Sequence, residues 1–264
     1  MEYIQLTEEN IEKEHICCAI SSNKDPQVIA KKEWLKERMQ EGLVFLKADI
    51  RGKCFIEYIP AEHAWVPIQA DNYMYINCFW VSGSCKGHGY ANDLLERCIQ
   101  DARQKGKVGI TVISSAKKKP FLSDPQYLAH KGFQLADTAA PFYELLYLPF
   151  TSQAPIPRWK ECTKTARNDL DGFSIYYTNG CPFTAKYVPL LETFAAENNI
   201  PLTTIKIDSR EKAQNVPFAW TNFALFYNGS YVTNEIPNEK KFAKIIDQIR
   251  SKGKLPEPKQ KKRG

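Results

Sequence analysis

The chain has 264 residues, 43% of them hydrophobic and 25% charged, a length that suits two domains each with its own core. No apolar run approaches the ~20 residues of a membrane span, and the start lacks the basic and apolar stretches of a secretory signal, so a cytoplasmic place with no membrane partner is expected. The net charge of +6 argues little for nucleic acid: Lys252, Lys254, Lys259, Lys261, Lys262 and Arg263 against Glu257 put most of it in a basic tail at 252–264, expected to be flexible.

Residues 3 to 7 read as a short strand and 8 to 21 as a Glu-rich helix. A second helix is better marked, with Asp25 as N-cap, Pro26 in the first turn, Val28, Leu35 and Met39 at helical spacing, and Gly42 after the end. Strands follow at 43–50 and 53–59, and Arg51-Gly52 between them predicts a two-residue hairpin. The run Tyr73 to Val81 is apolar on both faces, which places it at the centre of a sheet. The composition then switches to Ser82-Gly83-Ser84-Cys85-Lys86-Gly87-His88-Gly89-Tyr90-Ala91, a helix carrying Leu94, Leu95, Cys98 and Ala102, and a strand at 108–113.

A strand, a glycine-rich turn and a helix in that order bring backbone N–H groups to a helix N-terminus, where they suit an anion such as a pyrophosphate. The turn is not a P-loop, since no GxxxxGK[ST] exists, and Asn92 stands where a dinucleotide fingerprint needs its third glycine. It resembles the cofactor motif of the GNAT family of N-acetyltransferases, with Lys86 where Arg or Gln is usual, then Gly89 and Ala91. The likeness covers residues 1–150 in element order, including a helix into Gly132-Phe133 and two last strands at 133–136 and 142–148.

That resemblance implies acetyl-CoA as co-substrate and no metal. The amides of Gly87, His88, Gly89, Tyr90 and Ala91, with Lys86, would hold the pyrophosphate, and strand backbone at Phe79, Trp80 and Val81 the pantetheine arm. An acceptor amine would attack the thioester directly once deprotonated. The family's tyrosine, four residues before the Gly-Phe glycine, is Leu128 here; Tyr127 beside it is the candidate acid. Glu57 is the candidate base, with Glu62, His63 and Asp71 also near. The eight cysteines read as buried thiols, and no spacing suits zinc.

Residues 151–171, with three prolines nearby and little periodicity, read as a linker. Beyond it, strand 173–178, helix 182–198 and strand 202–207 form a βαβ unit; strands 222–227 and 231–236 flank Asn228-Gly229, a hairpin signal, before a helix at 238–249. This order over 172–251 resembles the thioredoxin fold, with Cys181-Pro182-Phe183-Thr184 where its CxxC belongs. Thr184 replaces the second cysteine, so only monothiol chemistry at Cys181 is left, at a helix start that favours a thiolate. A GNAT-like mixed sheet with flanking helices, followed by a smaller thioredoxin-like α/β domain, resembles the YoaP-like acetyltransferases. The expected function is acetyl transfer to a small-molecule or peptide amine. Its rivals are a monothiol oxidoreductase or glutathione-binding protein built on Cys181, and a CoA-sensing module without turnover. Acceptor and oligomeric state stay open.

Overall fold

The computed structural model describes residues 1–251, and the tail expected at 252–264 lies outside them. Strand β1 (Tyr3–Gln5) precedes helix α1 (Pro26–Met39), which starts where its sequence marks it: the Asp25 carboxylate accepts from the Gln27 N–H and Pro26 takes the first turn. Strands β2 (Val44–Ala48) and β3 (Cys54–Pro60) lead through the short β4 (Ile68–Gln69) to β5 (Tyr73–Val81). Helix α2 (Tyr90–Gln104), β6 (Gly109–Ser115), helix α3 (Pro125–His130), β7 (Gln134–Ala139) and β8 (Tyr143–Pro149) follow.

These strands form a mixed seven-stranded sheet in the order β1-β2-β3-β5-β6-β8-β7, antiparallel except between β5 and β6. The apolar run of β5 is central, as expected. One face packs Met74, Ile76, Ile110 and Val112 against Leu94, Leu95 and Cys98 of α2. The opposite face carries Phe45, Phe55, Tyr73, Tyr75 and Leu145, which share one hydrophobic core with α1 and with the second half of the chain. Each such buried side chain contributes ~1.5–3 kcal/mol, so the two halves are joined by packing as well as by the chain.

The second half runs β9 (Arg158–Trp159), β10 (Phe173–Tyr177), α4 (Pro182–Glu197), β11 (Leu202–Lys206), α5 (Arg210–Ala213), β12 (Phe223–Tyr227), β13 (Ser230–Thr233) and α6 (Glu239–Ser251). Its sheet has the order β11-β10-β12-β13, parallel only between β10 and β11, which is the βαβ then ββα order read from the sequence. Asn228 and Gly229 take φ of 44° and 71° between the paired Tyr227 and Ser230, the positive values that a two-residue hairpin turn demands.

Two expectations are corrected. Residues 8–21 are turns, not a helix: Asn10 folds back, its side chain donating to the Gln5 carbonyl and accepting from the Thr7 N–H, and Ile16 to Ala19 are all buried, a run no amphipathic helix allows. The β2–β3 connection spans 49–53, and neither Arg51 nor Gly52 has the positive φ of a two-residue turn; Gly52 instead packs so tightly on Cys85 that a Cβ would lie 2.8 Å from its Sγ. The stretch 151–171, expected as the linker, carries bonds of its own: β9 pairs with β4, the Trp159 N–H donates to Asp137 (2.9 Å), and the Asn168 N–H donates to the Gly229 carbonyl (3.0 Å).

Candidate functional site

The glycine turn delivers the backbone geometry its sequence suggests. Gly87 and Gly89 have φ of 83° and 80°, and Gly89 is the N-cap of α2. A Cβ at either would meet no protein atom within 4 Å, so the requirement for glycine is the left-handed backbone, and the space above the turn is open. Among the described residues, no N–H from Gly87 to Ala91 has a hydrogen-bond acceptor, while Asn92 and Asp93 bond back to the Gly89 carbonyl. Five consecutive donors at the positive end of a fifteen-residue helix make an anion cradle. A cavity of about 230 Å3 lies there, lined by Val81, Lys86, Gly87, Gly89, Tyr90 and Ala91 among others. His88 is not part of its lining; its ring stacks on Tyr90 at 5.5 Å.

Beside the cradle the sheet parts. Pairing of β5 with β6 runs from Tyr73↔Gly109 to Ile76↔Val112 and stops, which frees that edge of β5 from Asn77 to Val81. On its other edge β5 stays paired with β3, where Glu57↔Cys78 and Tyr58↔Ile76 leave Asn77 as a one-residue bulge. The bulge resets the alternation. Phe79 and Val81 pack on the α2 side, whereas Cys78 and Trp80 turn to the side shared with the second half. A cavity of about 820 Å3 passes through this gap, from Lys86, Ala91 and Tyr127 at the cradle end to Glu57, Lys31, Cys181 and Trp220 at the inner end.

The inner end is charged and buried. Glu57 is 2% exposed; its Oε2 accepts from Lys31 Nζ at 2.7 Å and its Oε1 from Asn77 Nδ2 at 3.2 Å. Lys31, 1% exposed, also donates to the Gly180 carbonyl at 2.8 Å, so one ammonium ties β3 to the residue before Cys181. Burial alone would pull the Lys31 pKa down, but the adjacent Glu57 carboxylate holds it above the ordinary lysine value. Two acids line the cavity. The other, Asp124, caps α3 by accepting from the Gln126 and Tyr127 N–H groups and pairs with Lys118 at 2.7 Å. Among the described residues no group of His, Cys, Asp and Glu is placed to hold a metal ion.

Comparison with known proteins decides the family. Residues 9–118 match the acetyltransferase (GNAT) family and residues 201–244 the YoaP-like family. The chain is 44% identical over 248 residues to the uncharacterized N-acetyltransferase YoaP of Bacillus subtilis (strain 168), covering 94% of this chain and 99% of that one. The chain belongs to the GNAT acetyltransferases, in the form that carries a YoaP-like region. Solved structures similar to it include a GNAT-family acetyltransferase from Staphylococcus aureus Mu50, at 14% identity and a TM-score of 0.41, covering 57% of this chain and 99% of that one. Another is a GNAT-family acetyltransferase from Brucella melitensis in complex with acetyl-CoA, at 16% identity and a TM-score of 0.37, covering 60% and 92%.

Within this GNAT chain, Tyr127 and Leu128 differ in their surroundings. Leu128 is wholly buried under the sheet, while Tyr127 lines the cavity, its ring 5.7 Å from that of Phe79 and its hydroxyl donating to Asn92 at 3.3 Å. Burial pushes its phenol up to about 12. Cys181 lines the inner end and caps α4, yet burial pushes its thiol up to about 11 against the pull of the Phe183 and Thr184 N–H groups. The thiolate expected from the helix start is therefore overridden by desolvation. Glu62 accepts from Lys107, and His63 meets Arg210, so neither reaches the cavity lining, nor does Asp71. The residues missed were Lys31 and Asn77. Lys31 did leave a signal, since it sits on the apolar stripe between Val28 and Leu35, three and four residues away.

Proposed function

We propose that this chain moves an acetyl group from acetyl-CoA to an amine by direct attack of the amine on the thioester. The observation that carries the reading is the row of unpartnered N–H groups from Gly87 to Ala91, at the mouth of a cavity that ends at Glu57. Acetyl-CoA supplies the activated carbonyl. The chain supplies the rest: the five amides and Lys86 bind the pyrophosphate, and the freed edge of Phe79, Trp80 and Val81 lines up the pantetheine arm.

Glu57 is assigned as the base that takes the acceptor's proton, because it stands at the inner end of the cavity on β3, paired in register with Cys78 beside the freed edge of β5, whereas Asp124 stands at the cap of α3. Tyr127, protonated across the physiological range, is assigned as the proton donor to the departing thiolate. The second half is read as a thioredoxin-like domain that has given up redox chemistry and closes the acceptor end. Thr184 supports this: in the place of a second cysteine, its hydroxyl donates to the Thr178 and Cys181 carbonyls, both at 2.6 Å.

Calorimetry with acetyl-CoA, followed by assay of free CoA, tests the proposal. Binding that weakens in Gly89→Val, and CoA release that survives Cys181→Ser, are expected. Tight binding without release for any amine would mark a sensor, and release that needs Cys181 would mark thiol chemistry.

A further inference from the structure

Four of the chain's five tryptophans, Trp34, Trp65, Trp80 and Trp220, line the same cavity, and they come from α1, the loop before β4, β5 and the second half. Resting on the acetyl-transfer reading above, we propose that the acceptor is a small monoamine on a flat apolar body, an aryl- or cycloalkyl-alkylamine, held among these rings between the two halves.

Packing alone does not account for the rings. Trp65 and Trp80 are only half-buried, and Phe121, which abuts Trp220 at 5.7 Å, is 42% exposed. They are nevertheless fixed: the Arg38 guanidinium lies 5.1 Å from the Trp34 ring and 4.6 Å from Trp65, and the Lys53 ammonium 4.0 Å from Trp80. Rigid, partly uncovered aromatic walls suit a flat apolar guest, whose burial removes apolar surface from water at little cost in side-chain order.

Charge and closure argue against polyamines and protein amines. Both lining acids are already ion-paired, Glu57 with Lys31 and Asp124 with Lys118, and Lys86 and Lys119 line the cavity besides. A polyamine would find no free carboxylate for its second charge. A protein amine would have to part the halves where Lys31 donates to Gly180, Thr221 to the Trp65 carbonyl (2.5 Å) and Gln214 to the Ala64 carbonyl (3.0 Å).

The test uses the whole chain with acetyl-CoA and mass detection of acetylated product from phenethylamine, cyclohexylmethylamine, ethanolamine, spermidine and a lysine-containing peptide. The first two should exceed the rest in kcat/KM by ~10-fold or more, the scale on which a pocket discriminates apolar bulk. Phenethylamine should also change the tryptophan fluorescence saturably. Trp220→Ala should raise the phenethylamine KM ~10-fold with the acetyl-CoA Kd within about twofold; Phe121→Ala, at a more exposed site, should raise it in the same direction. Preference for spermidine or the peptide, or a KM unmoved in both variants, overturns the proposal while leaving acetyl transfer intact. Absence of acetyl-CoA binding overturns both.

Discussion

The two ends of the large cavity are built from different materials. The cradle end is backbone: five consecutive N–H groups, aimed by two glycines with φ above 80° or at it. The inner end is side chain: a carboxylate from β3, an ammonium from α1 and an amide from the β5 bulge, closed by a carbonyl 149 residues from Lys31. A site made of main chain should tolerate most side-chain changes and fail when the backbone conformation is refused. A site made of buried charges should behave in the opposite way, because removing either partner leaves the other stranded in a low dielectric.

The sharpest way to test that contrast is Glu57→Gln, which should lower kcat by ~100-fold to 10,000-fold, the usual worth of a positioned base. It also strands the Lys31 ammonium, so unfolding in urea should show a loss of ~3–5 kcal/mol. Adding Lys31→Met to Glu57→Leu should recover much of that stability and none of the activity. A kcat within threefold of the native chain in Glu57→Gln would remove Glu57 as the base. At the other end, Gly89→Val should weaken acetyl-CoA binding ~10-fold or more in calorimetry. The left-handed backbone costs an L-residue ~1–2 kcal/mol, and the helix start that aims the amides would shift to relieve it. Its urea midpoint should fall far less than that of Glu57→Gln. Equal losses of stability in both would break the comparison.

The same contrast explains what could be read from the sequence. The cradle was legible because contiguous residues make it: a central strand, Gly87 and Gly89, then an amphipathic helix, each with a local signature. The Asn228-Gly229 hairpin was legible for the same reason. The inner end was not, because Glu57 and Lys31 lie 26 residues apart and Gly180 lies far beyond both; only the misplaced charge on α1's apolar stripe hinted at it. The bulge at Asn77 left no trace at all, since Tyr73 to Val81 reads as an unbroken strand. The helix expected at 8–21 failed on composition: glutamates favour helix on average, but Asn10 offers the backbone a competing set of hydrogen bonds.

Between the two ends, Tyr127 tests whether a group at the cradle takes part in chemistry. Tyr127→Phe keeps the ring against Phe79 and removes only the hydroxyl, so acetyl-CoA affinity should hold and kcat should fall by roughly tenfold, less than a base costs because a thiolate leaves without much help. Steady-state kinetics across pH would check this; an unchanged kcat returns Tyr127 to a packing role.

The smallest effect is expected at Cys181, although it stands at the inner end beside the buried pair of Glu57 and Lys31. With its thiol at about 11, only ~0.1% is thiolate at pH 8, so alkylation by iodoacetamide should be slow there and quicken steeply toward pH 10. Cys181→Ser should leave CoA release nearly unchanged. Linkage gives the sign for stability. The folded thiol titrates above its ordinary value of 9.0, so the stability it contributes is fully present below pH 9 and is lost as pH rises through about 11, because the unfolded chain releases its proton first. Cys17, also pushed up to about 11 by burial, adds to the same alkaline decline. The urea midpoint should therefore drop between pH 9 and 11, and drop less in Cys181→Ser. A thiol that instead reacts rapidly at pH 7, in a variant series where Cys181→Ser abolishes CoA release, would move the chemistry from the buried pair to the second half's helix start.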